Sequence, residues 1–533
     1  MARRRVLILG LDGADWQILD PLIEAGALPA LAELVRTGAA APLASTIPPL
    51  TAPAWTSFIL GAGPGSHGIL DFVERDARRY EGTTGRVVNS GAYPKRTFFD
   101  AAGAAGRRVA AIRVPMMFPP WPVNGVAVSG GFTPGGRVFC SPKELAGSLD
   151  VGPIDIGKKL LELPEDEQLD RLEDQLQRVE EQAQRVLRME PFDVAMVHVH
   201  TPDNAHHCFW HQLDNGNHSG RPNPIHELYA KVDGFVGRMC ASADWDLVLV
   251  ASDHGGGPRP ARRCLVNVWL AELGLLNLRG GYRGALSRAA SAGKRRFKRL
   301  VYRVRRWAPA RLQRRISSLT QAAVAIDWSR TEAYGVYVFQ PYYGVELNLV
   351  GRQDEGVVPQ EAYRQRRDEV VTRLRQSAEV ERLPVVAVMT AEEAFGPQYD
   401  PRLPDVVIRF EDDVVGDNAI GTGVVIPNGG RAPHEGSGAH SREGVLIAAG
   451  SGVRPGRYRP LPIEGVAATV LSYLGVSPPV GMAAPLSELF EPDRLVAGPD
   501  RSWDLGEITP QPAIRPEEEE EILQSLRGLG YVE

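Results

Sequence analysis

Five short apolar runs punctuate the chain: Val6–Leu9, Val109–Ile112, Val194–Val199, Leu247–Ala251 and Val445–Ala449. Each borders a polar or glycine-rich turn. Runs of this length predict strands buried on both faces. Between them, Leu169–Met189 and Ile225–Met239 read as helices. Strand, loop and helix in repeated alternation predict an α/β fold: a mostly parallel central sheet with helices on both faces. In such sheets ligands collect beyond the carboxyl ends of the strands.

The regular pattern is interrupted after residue 275. From Arg279 to Arg315 the chain is rich in Arg and Lys and has no Asp or Glu, while Phe297, Leu300, Val301, Val304 and Trp307 recur at helical spacing. This predicts a basic amphipathic helix. Tyr334–Val350 alternates like strands, and a charged helix is expected around Gln360–Gln376. The expected organisation is a core of residues 1–275 and 390–490, an inserted cap at 276–389, and a tail at 491–533. Within the tail, the acidic run Glu517–Glu521 suits the start of a short surface helix.

Composition narrows the picture modestly. The chain has 533 residues, 43% hydrophobic and 23% charged, with a net charge of -5. It can bury a large core, and its total charge names no partner. No stretch approaches the roughly 18 apolar residues of a membrane span. Arg3-Arg4-Arg5 before Val6–Leu9 mimics a secretory signal, but the run soon meets Asp12 and Asp15. A cytoplasmic protein beginning at its first residues is expected. Cys140, Cys208, Cys240 and Cys264 form no CxxC pair and read as packing residues in a reducing compartment.

The strand ends hold the candidate chemistry. Asp12 follows the first run, and His198, His200 and Asp203 end or follow the third. Asp203 and His207 stand four apart, on one face of a helix, where they can grip one ion. Asp253 and His254 end the fourth run ahead of three glycines. Burying either without a partner costs roughly several kcal/mol, which points to a ligand role. The glycines are expected to let the backbone approach a bound group. Thr51 sits among Pro48, Pro49 and Pro53, which stiffen its setting. A threonine hydroxyl becomes a competent nucleophile beside a divalent metal. His440 precedes the last run and would lie at the opposite end if that strand were parallel. His434 is its weaker rival, and His206 rivals His207. His198 and His200, alternating on one strand, read as metal-supporting residues or as satisfied core histidines.

Taken in order, Asp12, Thr51, Asp203-x-x-x-His207, Asp253-His254-Gly255 and His440 resemble the alkaline phosphatase superfamily, specifically its type I phosphodiesterase and nucleotide pyrophosphatase group. Pro64–Ile69 resembles that group's His-Gly-Ile segment, and Val466–Gly475 its late helix. The resemblance covers most of residues 5–490. It implies an alkaline-phosphatase-like sandwich and a metal-dependent phosphoester hydrolase, either a phosphodiesterase or a phosphomonoesterase. One ion would be held by Asp203, His207 and His440, the other by Asp12, Asp253 and His254, with Thr51 attacking phosphorus to give a phospho-threonine intermediate. Carboxylate and imidazole without thiolate suit zinc, with manganese or magnesium as alternatives.

The group places an Asn after its His-Gly-Ile segment, whereas this chain reads Leu70-Asp71-Phe72. Arg259, Arg262 and Arg263 are candidate phosphate-binding replacements. A phosphomutase on the same metal site is one alternative. A sulfatase is a weaker one, because Thr51 and Trp55 replace that family's Cys/Ser and Arg. The expected substrate is a phosphorylated small molecule or lipid-like compound, with no specific nucleic acid. Arg279–Arg315 is a candidate contact for an anionic membrane surface, which would make the protein peripheral to the membrane, or, if the chain is no enzyme, for nucleic acid.

Overall fold

A computed structural model describes residues 4–92, 97–130, 132–154, 160–214, 223–279, 326–429, 436–496 and 514–529. The chain divides into two compact units, one of residues 1–74, 85–259 and 430–533, the other of 75–84 and 260–429.

The first unit is built on ten strands. Those that position the site are β1 (Val6–Leu11), β2 (Ala39–Ala44), β3 (Val109–Val114), β4 (Gly125–Ser129), β5 (Cys140–Ser141), β6 (Val194–Val199), β7 (Leu247–Ala251) and, late in the chain, the strand Glu443–Gly450. The order runs β2, Glu443–Gly450, β7, β1, β6, β3, β4, β5. Strands β7, β1, β6, β3 and β4 are parallel. Every residue of β1, β3, β6 and β7 is buried. Each fully buried Val, Leu or Ile contributes about 1.5–3 kcal/mol, so these runs form the centre of the core. Helices Glu165–Leu187 and Pro224–Cys240 lie where the apolar periodicity placed them.

Strand Glu443–Gly450 runs antiparallel to both β7 and β2. Its first residue therefore lies at the carboxyl ends of the parallel strands, and His440 reaches that end without a long loop. The expectation for a parallel strand is corrected by this pairing. An apolar run carries no mark of its direction.

Helix α1 (Trp16–Glu24) follows β1. Helix α2 (Thr51–Leu60) starts on Thr51 and is buried throughout. Pro53 occupies its first turn, where its missing N–H costs nothing. His67 pins the far part of this helix. It accepts from the Ile69 N–H at Nδ1 (3.1 Å), which leaves Nε2–H to donate to Ser57 Oγ (2.9 Å). Helix α3 (Thr201–Phe209) follows β6 directly, with Pro202 in its first turn. The tail helix Pro516–Leu529 belongs to this unit, and Glu519 Oε1 accepts the Val87 N–H at 2.8 Å.

The second unit has an antiparallel sheet ordered Ala333–Val336, Tyr342–Leu347, Val406–Phe410, Val385–Thr390. Helix Tyr363–Glu381 turns Val370, Val371 and Leu374 into its core. Strand Arg262–Leu265 pairs with Val414–Asp417 and Val425–Pro427. These pairings carry the unit beyond residues 276–389 on both sides. A buried ionic network ties it together. Glu346 accepts from Arg75 at 2.6 Å and from the Tyr334 hydroxyl at 3.0 Å. Asp405 accepts from Arg352 at 2.6 and 3.0 Å, from the Leu347 N–H at 2.8 Å and from the Tyr363 hydroxyl at 2.8 Å. The expected basic helix lies, beyond Arg279, outside the described residues. Among the described residues no helix is long and apolar enough to cross a membrane.

Candidate active site

The carboxyl ends of β1, β6 and β7 gather the acidic and imidazole residues into one buried cluster. Asp12, Thr51, Asp253 and His254 are all 0% exposed. Asp12 lies one residue beyond β1, Asp203 stands in the first turn of α3, and Asp253 and His254 follow β7. His440 stands on a short strand, Gly438–Ser441, paired antiparallel with Gly255–Pro258. Gly13 lets two of these loops touch. Its φ is +69°, and an added Cβ would stand 2.8 Å from Asp203 Cβ.

Two groups of three converge as the motif order implied. In the first, Asp203 Oδ1 lies 3.4 Å from His207 Nε2 and 3.3 Å from His440 Nε2, and those nitrogens are 3.2 Å apart. His440 donates its Nδ1–H to the Pro49 carbonyl at 2.9 Å, so its Nε2 lone pair faces the group. In the second, His254 Nε2 lies 3.6 Å from Asp12 Oδ1 and 3.5 Å from Asp253 Oδ2. His254 donates Nδ1–H to the Gly255 carbonyl, again leaving a lone pair at Nε2. Asp253 Oδ2 and His254 Nε2 are buried with no hydrogen-bond partner. The His254 and His440 rings stack at 3.7 Å between centroids and join the groups. Thr51 Oγ1 donates toward Asp12 Oδ1 at 3.4 Å.

Burial dominates the electrostatics. It pushes Asp253 well above the usual carboxylate range, with Asp12 and Asp203 adding to the rise. It lowers His254 to about 3, with His440 adding to the fall. Burial would also raise Asp12 and Asp203, but His200 and His198 hold the former down, and His207, His200 and His440 the latter. His200, which burial alone would lower, is pushed up to about 10 by Asp12 and Asp203. A cluster holding carboxylates, lone-pair nitrogens and orphaned acceptors fits a divalent cation.

His198 and His200 take a larger part than the strand pattern settled. His198 Nε2 lies 2.8 Å from Asp12 Oδ2, and His200 bridges Asp12 Oδ2 (3.1 Å) and Asp203 Oδ2 (3.2 Å). With Asp12 they make a third possible metal-holding group. Their two-residue spacing at the end of an apolar run was the available signal. Trp55 and Asp15 gave none. Trp55, one turn after Thr51, donates Nε1–H to Asp12 Oδ2 at 2.9 Å. Asp15 caps α1 at Gln17 and accepts the Gly256 N–H (2.9 Å) and the Ser441 hydroxyl (3.2 Å). The glycines after His254 serve protein groups rather than a ligand. A Cβ on Gly255 would meet Asp15 Oδ2 at 2.2 Å, and one on Gly256 would meet His206 Nδ1 at 2.2 Å. His206 turns to the Tyr229 hydroxyl (2.9 Å), away from the group His207 joins.

The arginine candidates separate. Arg259 lies in the first unit, its backbone N–H donating to the Ser437 carbonyl. Arg262 is engaged by Glu411 and Asp413, and Arg263 by Asp417 and Asn428, all within the second unit. His434 lies outside the described residues.

The sequence profile of the type I phosphodiesterase / nucleotide pyrophosphatase family matches residues 6–422. The chain belongs to this family. Its members are phosphoester hydrolases, and the chain is one by that membership. No curated protein matches it. Phosphonoacetate hydrolase from Sinorhizobium meliloti 1021, solved with phosphonoacetate, is similar at 17% identity and a TM-score of 0.50, covering 84% of this chain and 90% of that one. Murine ectonucleotide pyrophosphatase / phosphodiesterase 5, an inactive form solved with AMP, is 10% identical with a TM-score of 0.48, covering 92% and 100%. The first of these supports the alkaline-phosphatase-like fold.

Proposed function

We propose that this family member hydrolyses phosphoric esters with Thr51 as nucleophile and two divalent cations, zinc suiting the donors best. The observation that carries this reading is the Thr51 hydroxyl 3.4 Å from Asp12, at the edge of buried groups whose Asp253 Oδ2 and His254 Nε2 lack partners. Asp203, His207 and His440 would hold one cation, and Asp12, Asp253 and His254 the other. Bound cations would supply Lewis acidity and neutralise charge on the phosphoryl oxygens.

The protein's own residues supply the positioning. Helix α2 presents Thr51 on a rigid, buried first turn. Trp55 and His198 fix Asp12 Oδ2, so Oδ1 faces the Thr51 hydroxyl. Pro49, two residues before the nucleophile, orients the His440 ring, so one segment sets both. Thr51 oxygen forms a bond to phosphorus as the ester oxygen leaves as an alcohol, and water then cleaves the phospho-threonine. The substrate is a phosphorylated small molecule, in keeping with the family the chain belongs to.

The test compares wild type with Thr51→Ala on p-nitrophenyl phosphate, bis-p-nitrophenyl phosphate and p-nitrophenyl sulfate, with and without zinc or manganese. Metal-dependent phosphate ester cleavage, weakened roughly a thousandfold or more in the variant, is expected. Equal turnover by the two proteins would sink the nucleophile. Preference for the sulfate would sink the substrate class.

A further inference from the structure

Strand β3 ends beside the catalytic cluster with an irregularity. Its register against β4 shifts between Ile112 and Val114, which leaves Arg113 as the extra residue. Ile112 is level with Val197 of β6, so Arg113 stands next along β3 as His198 does along β6. Bulges beside active sites re-aim a side chain. The backbone here has φ +59°, a left-handed conformation that a non-glycine residue rarely takes. Gly130 accommodates it, since a Cβ there would fall 1.7 Å from the Arg113 carbonyl oxygen.

The side chain is as unusual as the backbone. Arg113 is 2% exposed, and both terminal guanidinium nitrogens lack a hydrogen-bond partner. Burial lowers its pKa to about 10, and no carboxylate opposes that shift. Its charge is felt at His198, where it adds to the lowering by burial. A buried guanidinium without an anion is costly, and so is the left-handed backbone that delivers it. Buried donors left open in a native fold call for a ligand, an ion or water. A guanidinium fork matches the oxygens of a phosphoryl group.

We propose that Arg113 is an anion-binding residue that takes a phosphoryl oxygen of the substrate at the carboxyl end of β3. It would supply a donor where Leu70-Asp71-Phe72 offers no Asn. This rests on the phosphohydrolase reading for its ligand, but not for its charge.

The test uses full-length protein with inorganic phosphate as the probe. In zinc-loaded enzyme, Arg113→Met should raise KM and the phosphate inhibition constant by roughly tenfold to a hundredfold, as loss of a charge-assisted hydrogen bond implies. Arg113→Lys should recover part of the loss. In metal-free protein, phosphate should raise the melting temperature of wild type more than that of Arg113→Lys, a comparison that survives if the Met variant does not fold. Unchanged KM and inhibition in an active Arg113→Met enzyme would overturn the proposal. Chloride protecting the metal-free protein as well as phosphate does would overturn the phosphoryl assignment. If wild type shows no ester hydrolysis yet phosphate still stabilises it through Arg113, the anion site stands and the hydrolase reading falls.

Discussion

Around Glu346 and Asp405, in the second unit, each carboxylate oxygen meets a donor, whereas around Asp253 and His254, in the first, Asp253 Oδ2 and His254 Nε2 meet none. Both regions bury ionisable groups to a similar depth. The first arrangement is complete in itself, because Arg75, Arg352 and two tyrosine hydroxyls satisfy the acids. The second collects groups of like demand, each wanting a positive partner that the protein withholds. A closed network stabilises a unit. An open one holds a place for something else.

Breaking the closed network should have the largest effect on stability. Arg75→Met strands Glu346 in the core and should cost about 3–5 kcal/mol, read from the urea midpoint. Asp253→Asn in metal-free protein should leave that midpoint unchanged or raise it, since it replaces a buried acid whose Oδ2 has no hydrogen-bond partner. Equal losses in both variants would erase the contrast. Zinc should next sharpen it. At a hundredfold excess over its dissociation constant, zinc should stabilise wild type by about 2.7 kcal/mol, and His254→Ala should lose most of that gain. Burial holds Asp253 protonated to higher pH than an ordinary carboxyl. The cation must displace that proton, so apparent zinc affinity in calorimetry should rise with pH. The smallest effect belongs to Tyr363→Phe. Asp405 Oδ1 keeps its bond from Arg352, so the loss should be about 1 kcal/mol in the same urea assay.

Much of the fold was legible from apolar runs, because buried parallel strands need uninterrupted apolar residues. Val194–Val199 and Leu247–Ala251 match their strands end to end. Direction was not legible, and so the place of His440 stayed open until Glu443–Gly450 was seen to pair antiparallel with β7. The convergence of Asp12, Asp203, His207, Asp253, His254 and His440 followed the order of motifs, which no single motif carried. The roles of His198 and His200 were hidden because a histidine at a strand end reads alike whether its partner is a carboxylate or a carbonyl. Arg113 was invisible for a related reason. A bulge is a property of pairing between strands, and nothing in Val109–Val114 announces it.

Asp15 binds the hydroxyl of Ser441, 426 residues further along the chain. His440 is its neighbour, so the loop after the first strand closes on a partner that is synthesised late. A ribosome must make more than four-fifths of the polypeptide before the group of Asp203, His207 and His440 is complete, whereas Asp12, Asp253 and His254 are all present by its midpoint. A product truncated before His440 would keep Asp12, Asp253 and His254 but lack the third member of the other group.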